Sequence, residues 1–216
     1  MRMASELSSE ATSFTPVRAS TSLLSRRERK RVEVRDRLYA AAVALFTEQG
    51  FEETTMEAIG ERADVARATV FNHYAQKVMF LEEWGRRRRE HVLLVMGANE
   101  LPRVPAVATL RRFLEELVQL NVADRRQTVA LMNASWRFGA VLQDPGLGDE
   151  LARIIASGQR QGEIRELDAR QAGAVLAAAY FSTVLRWTSL EPTPFSLLEH
   201  IEGVLEIVLA GILTGP

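Results

Sequence analysis

The chain has 216 residues, of which 47% are apolar and only 7% aromatic, and its formal net charge is −1. It contains no cysteine, which excludes disulfides and thiolate metal sites, and no cofactor motif is present. No apolar run approaches the ~20 residues of a membrane-crossing helix, and the N-terminus carries no apolar secretory core, so a cytoplasmic protein without membrane contact is expected.

Ala and Leu supply much of the apolar content, and runs of alternating β-branched residues are absent, which predicts an all-α protein. In chain order, residues 1–25 are rich in Ser, Thr and Ala and are expected to be disordered. A dense basic arm follows, with Arg26, Arg27, Arg29, Lys30 and Arg31, so residues 1–31 read as an N-terminal extension. From Val34 a helical period sets in, with Leu38, Ala42, Leu45 and Phe46 on one face. Gly50 should end that helix and let Phe51 pack back on its last turn. Thr54 with Glu57 has the spacing of a capping box, opening a helix whose inner face is Met56, Ile59 and Ala63. Asp64 and Val65 form a turn, and Ala66–Tyr74 form a second short helix with Val70 and Tyr74 facing inward. A longer helix is expected from about Gln76 to Gly97. Its run Arg86–Arg89 points all around the helix and should be solvated and paired with Glu82, Glu83 and Glu90. Further helices are expected over 105–122, 125–141 and 148–161, over 168–189 opened by Asp168 and Gln171, and over 194–213.

The two short helices between Thr54 and Lys77 have the form of a helix-turn-helix, whose second helix fits the ~12 Å major groove of double-stranded DNA. Arg67 can meet guanine through its planar fork, Asn72 can do the same for adenine, and Thr69 can touch a thymine methyl. Ala68 and Phe71 share that helix. Thr55, His73 and Lys77 stand where they could hold phosphate. The basic arm could track the minor groove. The charge pattern agrees weakly: residues 26–91 carry a net +2 and residues 92–216 a net −3.

Residues 35–81 resemble the DNA-binding domain of the tetracycline-repressor (TetR) family of bacterial regulators. The likeness runs through Ala41-Ala42, Leu45-Phe46, Gln49-Gly50-Phe51, Thr54-Thr55, Ile59, Ala63, Val65, Ala68 to Tyr74, and Lys77. Four positions depart from the family pattern. Gly60 replaces a small Ala, Asp64 replaces the turn Gly, Gln76 stands where a better N-cap is common, and Phe71 replaces a Tyr hydroxyl. The resemblance implies a three-helix DNA-binding domain at 32–78 and a larger helical effector-binding and dimerisation domain at 79–216. It implies a homodimer on a near-palindromic operator, released by a small organic effector. The alternative is a DNA-binding regulator without a ligand, controlled by protein partners.

Candidate effector contacts are Phe113, Met132, Trp136, Phe138, Tyr180 and Trp187, with Asn121, Asn133 and Thr183 as polar anchors. Ala177, Ala178 and Ala179, with Leu198, Ile201, Leu205 and Val208, are candidates for the dimer face. An enzyme is not expected. His73, His91 and His200 are far apart, and neither a nucleophile motif nor a Gly-rich phosphate loop is present.

Overall fold

A computed structural model of the chain describes residues 25–97, 104–139 and 146–212. The described residues form nine α-helices: α1 (Arg26–Gln49), α2 (Met56–Arg62), α3 (Arg67–His73), α4 (Met79–Val95), α5 (Ala106–Ala123), α6 (Arg125–Arg137), α7 (Gly146–Gln161), α8 (Ala169–Thr188) and α9 (Leu197–Ile212). Expected residues 1–24 of the extension lie outside the described residues.

The first correction concerns the basic arm. Arg26, Arg27, Arg29, Lys30 and Arg31 are not an extended tail but the first two turns of α1. Ser25 is the reason. Its hydroxyl accepts from the Glu28 N–H at 3.3 Å, while the Glu28 carboxylate accepts from the Ser25 N–H at 2.8 Å. This reciprocal cap satisfies two orphan donors, and the Arg, Glu and Lys that follow all favour a helix.

The other end of α1 follows expectation. Gly50 adopts φ 92°, its N–H donates to the Phe46 carbonyl at 3.1 Å, and the Phe51 ring lies 4.9 Å from that of Phe46. The next cap shifts by one residue. Thr55, not Thr54, accepts from Ala58 N–H at 3.1 Å, while buried Thr54 donates its hydroxyl to the Gly50 carbonyl at 2.7 Å. That carbonyl is left open where α1 ends, so Thr54 is spent on it. Asp64 turns the chain at φ 51°, taking the left-handed conformation that an acidic side chain tolerates better than most. Gly60 has a packing reason: a Cβ there would lie 2.9 Å from Val70 Cγ2, so α2 and α3 meet too closely for Ala without a shift.

The helix α4 starts three residues later than expected, because residues 76–78 form a turn and Gln76 does not cap. α6 likewise stops at Arg137, short of 141, with Gly139 at φ 73° closing its end. Asp168 caps α8 by accepting from the N–H groups of Arg170 and Gln171 at 2.9 and 3.1 Å.

The body buries Leu110 and Phe113 of α5, Leu151 and Ile155 of α7, Leu176 and Val184 of α8, and Ile201 and Leu205 of α9. α7 and α8 touch backbone to backbone: a Cβ on Gly173 would stand 2.5 Å from the Gly148 carbonyl oxygen. This fold corrects part of the expected dimer face, since Ala177, Ile201 and Leu205 are consumed by the intramolecular core. The residues left outward on these helices include Val175, 56% exposed, and Ile207, 77% exposed.

Two helices of the body reach the first three. α4 packs on α1, and α6 brings Phe138 to 4.7 Å from the Phe51 ring and Arg137 to 3.1 Å from Glu52.

Candidate DNA-reading face and effector cleft

On α3 the periodicity sorts the side chains. Val70 and Tyr74 are fully buried, while Arg67, Ala68, Phe71 and Asn72 are exposed and Thr69 and His73 half-buried. Of the three residues expected to meet base edges, Arg67 and Asn72 lie on this outward stripe beside Ala68 and Phe71, while Thr69 is half-buried at its edge. Arg67 is not idle on that face: its Nε donates to Glu57 at 2.7 Å, and its guanidinium lies 5.3 Å from the centre of the Phe71 ring. Both partners are exposed, and an exposed ion pair of this kind is weak enough to give way to a base.

Arg27 and Arg31 of α1 join Asn72 and His73 of α3, with Glu28, around an open cleft of about 370 Å³. The first turns of α1 thus stand beside the end of the recognition helix. Burial, with help from Arg31 and Arg35, pulls the His73 imidazole below its ordinary pKa. Near neutral pH His73 is therefore a hydrogen-bonding group rather than a cation.

Lys77 departs most from its expected role as a phosphate grip. Its ammonium donates to the carbonyls of Phe51, Glu52 and Thr54 at 2.5, 3.1 and 2.6 Å and sits 4.5 Å from the Phe51 ring centre. All three of its donors are committed to the loop between α1 and α2. That loop has three carbonyls converging where no helix satisfies them, and a flexible cation is the group that can answer them together. Thr55 keeps its expected place at the N-terminus of α2, exposed, with its oxygen accepting from α2.

Behind α3 lies a network that sequence reading placed on the surface. The Glu83 side chain is only 2% exposed. It accepts from Arg35 at 2.8 and 2.5 Å, from Arg87 at 2.7 Å and from the Tyr74 hydroxyl at 2.9 Å. Arg87 also donates to Asp36 at 2.6 Å. Burial pushes the Glu83 carboxyl up, but the bond from Arg35 and the field of Arg87 outweigh it and hold the group below its ordinary range. The network ties α1, the end of α3 and α4 through one carboxylate.

The four arginines of the basic run have separate fates. Arg86 pairs with Glu90 and approaches Glu83 at 3.4 Å, Arg87 joins the buried network, and Arg89 lines a cleft in the body. Arg88 is the unexpected one. It is 9% exposed and donates to Asn121 at 2.8 Å, with Trp84 4.7 Å beneath it. The signal for this was present: Leu81, Trp84, Arg88 and Val92 recur at helical spacing, so Arg88 belongs to the inward stripe.

The cleft beside Arg88 has a volume of about 50 Å³ and lies between α4, α5, α6, α7 and α8. Of the expected effector contacts, Met132 and Tyr180 line it. The others do not. Phe113 is fully buried in the body core. Trp136 is 47% exposed, because the inward stripe of α6 is Thr128, Leu131, Met132 and Ser135, one residue out of phase with it. Phe138 is taken by Phe51. Thr183 donates to the Ala179 carbonyl at 2.8 Å, and Trp187 is covered by the Arg125 guanidinium at 4.9 Å. Asn133 stands by the Thr188 hydroxyl at 3.4 Å. Asn121 links the cleft's polar groups, donating to the Tyr180 hydroxyl at 2.7 Å. Ser135, which sequence reading missed, lines the cleft with a buried hydroxyl that has no hydrogen-bond partner.

A short exposed helix shaped for the major groove, backed by a larger helical body with a small cleft, is the architecture of a DNA-binding regulator. The model for bacterial regulatory proteins of the TetR family matches residues 38–83. The crystal structure of FadR from Thermus thermophilus, a TetR-family repressor in complex with lauroyl-CoA, superimposes with a TM-score of 0.65 and 30% identity, covering 84% of this chain and 96% of that one. The transcriptional repressor KstR of Rhodococcus jostii is 25% identical over 180 residues, 82% of this chain and 83% of its own. FadR from Bacillus subtilis shares the fold, with a TM-score of 0.61 and 21% identity over 82% of this chain and 98% of that one. The chain belongs to the TetR family of DNA-binding transcriptional regulators.

Proposed function

We propose that the chain represses transcription as a homodimer and leaves its operator when a molecule with a long apolar portion enters the cleft between α4, α6 and α8. The observation that carries this reading is position. The cleft is lined in part by α4 and α6, body helices that pack against α1. At about 50 Å³ it holds roughly three or four waters. A larger guest would have to part those helices, and parting them would move the DNA-reading face. A switch of this kind needs about 1.4 kcal/mol of differential affinity for each tenfold loss of operator binding. Acyl thioesters of coenzyme A are the first class to test, because the 30%-identical Thermus thermophilus FadR holds lauroyl-CoA.

In this reading the DNA-binding domain spans 32–78 and the body begins at 79, with α4 shared between them. Arg67, Ala68, Phe71 and Asn72 face the bases, Thr69 flanks them, Thr55 and His73 meet the backbone, and Arg27 and Arg31 reach it from the helical start of α1. The remaining arm residues, Arg26, Arg29 and Lys30, are exposed on the same turns. No helix among the described residues is long and apolar enough to cross a membrane.

Selection of genomic fragments with the purified chain tests the first half; recovery of no enriched sequence would rule it out. On the operator so found, Arg67→Ala is expected to weaken binding by about 1–3 kcal/mol and relax the choice at one base position. Equal losses on all sequences would instead make Arg67 an anchor.

The dimer face proposed is the outer side of α8 and α9. Val175 and Ile207 project there, and a Cβ at Gly203 or Gly211 would meet nothing within 4 Å, so a second copy could approach closely. Two copies would read half-sites about one DNA turn apart. Ile207→Glu is expected to give a monomer by sedimentation, with specific DNA binding lost; a stable dimer would place the interface elsewhere.

A further inference from the structure

Arg35, Arg86 and Arg87 each pair with an acid, whereas Arg88 has no carboxylate within ion-pair distance among the described residues. One of its five N–H donors is bonded, to the neutral amide of Asn121. A guanidinium stays charged when buried, and a buried charge without a counter-ion is costly. Beside it, Ser135 carries a buried hydroxyl with no partner, and the Tyr180 hydroxyl, already accepting from Asn121, has its own proton to give. All three groups line one cleft. Leu81, Leu117, Met132 and Phe181 supply its apolar wall. Glu82 and Arg89 also line it, with opposite charges, and leave the polarity to Arg88.

We infer that the effector carries an anionic head as well as an apolar chain, and that Arg88, with Ser135 and Tyr180, receives that head inside the body. This rests on the reading of the body as an effector domain and names the chemistry it selects. The shared chemistry is a carboxylate or phosphate on an aliphatic chain, as in a fatty acid or its coenzyme A thioester. The incoming anion supplies the counter-charge that the protein lacks. Because Arg88 lies one residue from Arg87 and five from Glu83, neutralising it on α4 acts on the helix that carries the junction to α1 and α3.

Calorimetric titration of the full chain with dodecanoate, dodecanoyl-CoA and uncharged dodecanol tests this. At least one anionic ligand should bind about tenfold or more tightly than dodecanol, a difference of about 1.4 kcal/mol. Which of the two does so identifies the source of the anion. Arg88→Met should erase that preference without lowering the melting temperature of the ligand-free chain, and Ser135→Ala should reduce it. Dodecanol binding as tightly as both anions, or Arg88→Met keeping the preference, would overturn the inference while leaving the effector reading intact. If none of the three ligands binds, the acyl-effector reading falls and this inference with it. Should Arg88→Met fail to fold, the wild-type ligand series and Ser135→Ala still decide the matter.

Discussion

Replacing Glu83 with Gln is expected to lower the stability of the chain by about 2–3 kcal/mol, seen as a fall in melting temperature of roughly 5–10 °C. The carboxylate is the common acceptor for Arg35, Arg87 and Tyr74, and its side chain is 2% exposed. Removing its charge leaves Arg87, 11% exposed, with Asp36 as its remaining acid. Arg35 is 44% exposed and can turn to water, which keeps the loss below the ~3–5 kcal/mol of a fully buried pair. The pH dependence has a definite sign. The folded Glu83 carboxyl titrates below its ordinary value. Its stabilisation is therefore complete above the unfolded pKa of about 4.3 and is lost as pH falls through the lower folded value. Glu83→Gln should remove that part of the acid sensitivity. Equal stability of the two proteins at neutral pH would mean that the network contributes nothing net. Operator affinity should fall as well, because Tyr74 closes α3 and its hydroxyl is held by this carboxylate.

Lys77→Met is expected to cost about 2 kcal/mol of stability, because three charge-assisted bonds to the loop between α1 and α2 disappear. DNA binding should weaken through the misplaced Thr55 and α2, but the slope of log affinity against log salt should hold. A phosphate contact would behave differently: losing it would flatten that slope by about one and leave stability unchanged. The two measurements together separate an internal brace from a DNA anchor.

Much of the first domain was legible because its signals are local. Gly50 followed by Phe51, Asp64 at the turn, and the inward pair Val70 and Tyr74 are each set by residues within one or two helical turns. The arm was misread because Ser25 looked like the end of a polar tail, although Ser25 and Glu28 have the spacing of a cap. The internal bonds of Lys77 were hidden for a different reason: its partners at 51, 52 and 54 are 23 to 26 residues away, and no periodicity reports them. In the body, the choice of Trp136 over Ser135 followed bulk and aromaticity rather than phase. Ser135 is in register with Thr128, Leu131 and Met132, and phase decided which of the two faces the cleft. Arg88 was hidden inside a run of four like residues, where counting charge obscured the stripe formed by Leu81, Trp84 and Val92.

The link between cleft and DNA-reading face is tested most directly by operator affinity measured with and without dodecanoyl-CoA at a concentration that calorimetry shows to saturate the protein. A ligand that parts α4 from α6 should raise the dissociation constant about tenfold or more, equivalent to about 1.4 kcal/mol of coupling. Saturated protein that binds its operator as tightly as the ligand-free chain would contradict the proposed coupling.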